Sequence, residues 1–108
     1  MIRIDIKPLS INQAFKGRKF KTHLYNSYQK QLLLLLPTEF EVPEGKLEIV
    51  LTFGFSSKAA DIDNPMKLFI DILQKKYLFN DNRIYKATIY KEIVKKGKEF
   101  IEFDINQI

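Results

Sequence analysis

This sequence contains no cysteine and a single histidine, and each scarcity excludes or disfavours a class of site. Without cysteine the chain can form neither a disulfide nor a thiolate metal centre. A zinc site is also disfavoured, because His23 has no second histidine or cysteine to bind with it. The four glycines are scattered, so no glycine-rich phosphate loop is present. The chemistry of this chain has to be sought in other residues.

Long hydrophobic runs are also missing. Residues 32–36 are five consecutive leucines, far short of the roughly 20 apolar residues that span a membrane. Residues 1–7 alternate apolar and polar residues like a strand, and they lack the continuous apolar core of a signal peptide. We therefore expect a soluble, cytoplasmic protein with no membrane partner.

Basic residues outnumber acidic ones, 18 against 13, which gives a net charge of +5. Such an excess is compatible with ordinary solubility, but its distribution favours a nucleic-acid partner. One basic cluster comprises Lys16, Arg18, Lys19 and Lys21. Phe15 and Phe20 are interleaved with it, and basic loops with aromatic residues suit phosphate contacts and base stacking.

The apolar patterns of the 108 residues predict one α+β domain, residues 1–108, with a mixed sheet packed against two helices. Helical spacing predicts one helix from Thr22 or Ser27 to about Leu36, and a second that Asn64 caps and Pro65 begins. The approximate order is β-α-β-α-β-β, with a long irregular loop at 8–21 and a hairpin turn at 95–98. Alternation predicts strands over residues 2–7, 47–55, 84–94 and 101–105.

The acidic segment before the second helix is the most informative motif. Asp61 and Asp63 are two residues apart, so in extended backbone their carboxylates project to the same side. Such a pair can bind Mg²⁺ or Mn²⁺, which prefer oxygen ligands and take further positions from substrate phosphates. The alternative is that both acids only stabilise the positive end of the helix dipole.

Two further residues bear on this choice. Asp81, in the turn after the second helix, reaches the same ion if strands 47–55 and 84–94 are neighbours; otherwise it is an ordinary turn residue. Lys67 is one helical turn from Asp63 and can stabilise charge on a scissile phosphate. Its alternative role is an exposed ion pair with Asp71 at i+4. Asp71 is expected to support the site or to be structural.

The combined pattern resembles the RusA-type Holliday junction resolvases. It consists of D-x-D-N-x-x-K (residues 61–67), then Asp71-Ile72-Leu73, then Phe79-Asn80-Asp81-Asn82. The loop at residues 8–18, Pro-Leu-Ser-Ile-Asn followed by Lys-Gly-Arg, is similar to the proline-serine-asparagine loop of that family. The resemblance covers nearly the whole chain.

The resemblance implies that Asp61, Asp63 and Asp81 are the metal-binding catalytic aspartates and that Lys67 is the catalytic lysine. It further implies DNA contacts by Asn12 and the basic cluster, and a homodimer that nicks two strands of a four-way junction. Two departures stand out: Asn80 replaces one of the paired acids that usually occur there, and Phe79 replaces the usual tryptophan. These features predict an Mg²⁺- or Mn²⁺-dependent endodeoxyribonuclease. The alternatives are a non-catalytic nucleic-acid-binding module, or a nuclease that acts on other branched DNA or on RNA.

Overall fold

The computed structural model describes residues 1–16 and 20–108. They form an α+β domain around a four-stranded mixed sheet, so the predicted fold class is confirmed. Along the chain the elements are β1 (Ile2–Ile4), α1 (Ile11–Ala14), β2 (Phe15–Lys16), β3 (Phe20–Lys21), α2 (His23–Leu35), β4 (Leu47–Phe55), α3 (Met66–Tyr77), a 3₁₀ turn (Asp81–Arg83), β5 (Ile84–Ile93) and β6 (Phe100–Gln107).

The strand order across the main sheet is β1-β6-β4-β5. β4 and β5 are neighbours and run parallel, which puts Asp81, just before β5, at the opposite end of the sheet from Asp61 and Asp63, just after β4. β6 is antiparallel to both β1 and β4. The predicted hairpin between the last two strands is wrong, because β4 separates β5 from β6. Side-chain burial gives the reason: β5 is largely exposed, whereas β4 and β6 bury apolar residues and so occupy the centre of the sheet.

The hydrophobic core lies on the face of the sheet that α3 covers. Leu51 and Phe53 of β4 are in register with Phe103 and Ile101 of β6, and all four side chains are fully buried. The ring of Phe69 in α3 packs against Phe53 and Phe103, with centroids 6.4 and 5.5 Å apart. The apolar side of α3 is thereby fixed to the sheet, and its polar side remains open.

The other face of the sheet carries one buried aromatic residue, Phe100. The guanidinium carbon of Arg3 lies 3.9 Å from the centre of its ring. On the neighbouring strand the Phe100 ring lies so close to Gly54 that a Cβ there would be 2.3 Å from a ring carbon. Glycine at position 54 therefore allows Phe100 to pack flat on the sheet.

Residues 8–16 and 20–21 contain more regular structure than the sequence predicts. Ser10 and Gln13 form a capping box that starts α1, and β2 pairs with β3 in a two-residue ribbon. The hydroxyl oxygen of Thr22 accepts a hydrogen bond from the N–H of Tyr25 at 3.3 Å and so caps α2. The same hydroxyl donates to the carbonyl of Gln13 at 2.7 Å, which ties this segment to α2.

Within the described residues, no helix is both long enough and apolar enough to cross a membrane.

Candidate active site

The predicted acidic residues lie at the two ends of the α3 crossover. Because β4 and β5 are parallel, the chain leaves the carboxyl end of β4, returns along α3 and enters β5 at the opposite end of the sheet. Asp61 and Asp63 therefore precede α3, and Asp81 follows it. The 12-residue helix separates its two ends by about 18 Å. Only contacts along the polar side of α3 can connect the two groups of acids.

Asp61 and Asp63 are exposed on the irregular segment before α3. The side-chain amide of Asn64 donates to Asp61 Oδ2 at 3.0 Å. The predicted cap by Asn64 is wrong, since Pro65 occupies the N-cap position and makes no side-chain cap. The carbonyl of Asp63 accepts from the N–H of Met66 at 3.2 Å. The backbone of this segment is thus fixed at the start of α3, while the carboxylate of Asp63 faces solvent.

Lys91 of β5 holds the connection that leads into the acidic segment. Its ammonium donates to the carbonyl of Lys58 at 2.8 Å and to the carbonyl of Ala60, the residue before Asp61. In the sequence Lys91 is only an interruption of an apolar pattern, so sequence reasoning gave it no role. It acts as a positioning residue, because it fixes the backbone from which Asp61 extends.

Lys67 connects the two ends of the helix. Its Nζ lies 3.1 Å from Asp71 Oδ1, the pair expected from i, i+4 spacing, and 3.5 Å from Asp81 Oδ2. The three side chains are 60%, 35% and 40% exposed, respectively, so water and ligands can reach them. The ammonium of Lys67, a residue of the first turn of α3, therefore lies beside Asp81, which follows the last turn of that helix.

Gln74 fixes the turn that carries Asp81. Its Oε1 accepts a hydrogen bond from the backbone N–H of Asp81 at 2.8 Å, and its Nε2 donates to Asp71 Oδ1 at 3.3 Å. Through these contacts the chain beyond Leu78 folds back along the helix toward Lys67. The sequence places Gln74 on the polar face of α3 but does not show that it holds Asp81. The one signal was its spacing of three residues from Asp71 and seven from Lys67.

The carboxylates keep Lys67 protonated. The hydrogen bond and charge of Asp71 raise the pKa of Lys67 above its ordinary value, and Asp81 adds to the effect. A lysine whose pKa is raised is a cation at neutral pH, so it cannot serve as a general base there. It can instead stabilise negative charge on a substrate oxygen.

Asp61, Asp63 and Asp81 suit a hard cation in ligand type, although they are not assembled around one point. Among residues 1–16 and 20–108, no three acidic or histidine side chains are grouped closely enough to hold a metal ion. Carboxylate oxygens are the ligands that Mg²⁺ and Mn²⁺ prefer, and exposed carboxylates allow the ion to retain water. The donor chemistry therefore fits such an ion, and the three aspartates stay a predicted ligand set.

The predicted DNA-contacting residues that the structure describes, Asn12, Lys16 and Lys21, lie in the short elements that precede α2. Asn12 is exposed on α1, and Lys16 lies in β2 opposite Phe20. The Nζ of Lys21 lies 4.8 Å from the ring centre of Tyr25. Arg18 and Lys19 lie outside the described residues.

Tyr25 links this basic side to the acids. Burial raises the pKa of its phenol, and the negative charge of Asp71 raises that pKa further. Since Lys21 lies over the same ring, a cation of the basic segment and an acid of the α3 polar side have a common neighbour. Through Tyr25, Lys21 is therefore related to Asp71 on the polar side of α3.

Comparison of the chain with protein-family models gives no match, and comparison with curated proteins also gives none.

Proposed function

We propose that this protein is a metal-dependent endodeoxyribonuclease that hydrolyses a phosphodiester bond in branched DNA, with the four-way junction as its substrate. The observation that carries the proposal is the contact between Lys67 and Asp81, 3.5 Å apart although they come from opposite ends of α3. Asp63, four residues before Lys67, lies at the same end of the helix as that lysine. The arrangement supports one site on the polar side of α3.

In this proposal Asp61, Asp63 and Asp81 would hold Mg²⁺ or Mn²⁺, although the structure does not group the three around one point. A bound ion would supply polarisation of the phosphate and a lower pKa for an attacking water. Lys67 then exchanges its contact with Asp81 for the non-bridging oxygens of the phosphate, whose negative charge grows in the transition state. Gln74 keeps Asp81 against α3 throughout, and Asp71 holds the ammonium of Lys67 in place.

The basic segment supplies the phosphate contacts outside the reacting bond. Asn12, Lys16, Arg18, Lys19 and Lys21 are the proposed DNA-binding residues. A homodimer would place two such sites on a two-fold substrate and so produce paired nicks. Because cations on the protein displace counterions from DNA, junction affinity is expected to fall steeply with salt. We place this activity in the cytoplasm.

The test replaces Asp63 by asparagine and measures nicking of a synthetic four-way junction in Mg²⁺. Asp63→Asn keeps the size of the side chain but removes its charge, so nicking should fall by about a hundredfold or more while junction binding persists. Asp104→Asn is the matched control, because Asp104 is in register with Val50, away from α3. Nicking by Asp63→Asn at the rate of the unmodified protein would contradict the assignment.

A second candidate is a non-catalytic DNA-binding module. The hydrogen bond between Asn64 and Asp61 and the ion pair between Lys67 and Asp71 favour it, since both are local contacts that need no metal. Such a protein would bind the junction equally well in EDTA and would never nick it. Parallel assays with a four-way junction, a Y-fork, a plain duplex and an RNA hairpin also distinguish a junction nuclease from a nuclease with another substrate.

A further inference from the structure

A cavity of about 400 Å³ opens beside Asp61. The start of the chain forms one wall, through Pro8, Ser10 and Gln13, and the segment between β4 and α3 forms the other. Asp61 belongs to this second wall, so the cavity and the predicted metal site share a residue. A ligand in the cavity would therefore lie next to the predicted metal site.

The lining of the cavity combines apolar surfaces with neutral polar groups. Pro8, Phe55, Ala59 and Pro65 provide the apolar part. Hydroxyl and amide groups stand among them, contributed by Ser10, Ser57, Gln13 and Asn64. A nucleobase has the same division, with apolar faces that stack and an edge of hydrogen-bond donors and acceptors.

The charges around the cavity disfavour a phosphate as its occupant. Among the described residues of the lining, Lys7 is the one cation, against the two carboxylates of Asp61 and Glu99. Glu99 is already occupied, because it accepts from Ser56 Oγ at 2.9 Å and from the Gly97 N–H at 2.8 Å. Even with Lys91, which binds the carbonyl of Ala60, the two cations only balance the two carboxylates, so an anion finds no excess of positive charge, whereas a neutral heterocyclic ring needs none.

We infer that this cavity binds one unstacked nucleobase of the DNA strand that is nicked, next to the scissile phosphate. The inference rests on the proposed nuclease function and adds a base-binding site to it. A base that is already unpaired at a branch point is taken out of the stack at low cost, so a branched substrate can supply one. The fit of different bases would then give the nuclease a sequence preference at the cut.

The test uses two changes: a bulky substitution that fills the cavity of the protein, and removal of a single base from the DNA. Ala59→Phe places a ring in the cavity, and Ala87→Phe is the matched control, since Ala87 is exposed on β5 and does not line the cavity. A series of junctions carries a single abasic nucleotide at each position around the cut. Initial nicking rates are measured for each protein on each junction in Mg²⁺.

For the unmodified protein, we expect one abasic position to slow nicking by roughly tenfold, in line with the worth of one stacked base. Ala59→Phe should slow nicking of the intact junction by a similar factor, and the abasic nucleotide should then add no further loss. Ala87→Phe should behave like the unmodified protein.

Two results would overturn the inference. One is that no abasic position slows the unmodified protein, which tests the DNA side without any variant. The other is that Ala59→Phe and the abasic nucleotide slow nicking by independent, multiplying factors. Complete absence of nicking by the unmodified protein would instead overturn the proposed function, and the base-binding site with it.

Discussion

Gln74 provides the most direct test of how α3 holds Asp81. Replacing it by methionine keeps the length of the side chain and its helix propensity but removes both polar ends. The backbone N–H of Asp81 then loses its acceptor at 2.8 Å, and Asp71 loses a donor at 3.3 Å. The turn that follows α3 is no longer fastened to the polar side of the helix.

The expected cost follows from these contacts. An intramolecular hydrogen bond contributes about 1 kcal/mol on average, and a half-buried N–H left without a partner costs about as much again. The longer contact with the half-buried Asp71 adds only a few tenths of a kcal/mol. Gln74→Met should therefore lower the free energy of unfolding by about 2 kcal/mol. Nicking should fall by at least tenfold, because a small displacement of a catalytic group is costly.

Urea unfolding and junction nicking measure the two effects separately. The matched control is Gln31→Met, since Gln31 is exposed on α2 and, among the described residues, its side chain hydrogen-bonds to Ser27 Oγ alone, at 3.2 Å. Gln74→Glu keeps an acceptor for Asp81 but adds a negative charge beside Asp71, so it should recover part of the activity. If Gln74→Met unfolds and nicks like Gln31→Met, the role of Gln74 is refuted.

Two further predictions concern stability. Gly54→Ala should lower the free energy of unfolding by about 2 kcal/mol, because its Cβ would lie 2.3 Å from the Phe100 ring and force that ring off the sheet. Urea unfolding measures the loss. A change below about 0.5 kcal/mol would contradict this packing. Leu78→Gly should raise the free energy of unfolding by about 1 kcal/mol, because Leu78 ends α3 in the left-handed region at φ 54° and is 88% exposed. A lower melting temperature for Leu78→Gly would show that the left-handed cap is not strained.

The local elements were predictable because their signals are local. Alternation identifies β4 over the nine residues Leu47–Phe55, and the cap at Thr22 marks the start of α2. The helix α1 was missed although Ser10 and Gln13 carry the spacing of a capping box, because four residues give no periodic pattern. The partner of β6 was also missed, since a turn at residues 95–98 looks the same whether the flanking strands pair or enclose a third.

The candidate site likewise has features that were predictable from local signals and features that were not. Asp61, Asp63, Lys67 and Asp81 can be selected from the sequence by residue type and spacing, and so can the i, i+4 pair with Asp71. That Lys67 meets Asp81 could not be read from the sequence, because it depends on a turn that folds back along α3. Gln74 and Lys91 were missed as positioning residues for a related reason: their partners are backbone groups, which leave no trace in side-chain patterns.

The sequence by itself determined the α+β class, the succession of the main strands and helices, and which side of α3 is apolar. Hydrophobic periodicity and capping preferences depend on a few neighbouring residues, so they can be identified from the sequence directly. Tertiary structure decided which strands pair, and it placed a cavity beside Asp61. It also folded the Asp81 turn back to Lys67. These features arise from packing between residues that are far apart in the chain. Local conformational preferences do not distinguish between the alternative arrangements of strands and turns, so side-chain packing selects among them.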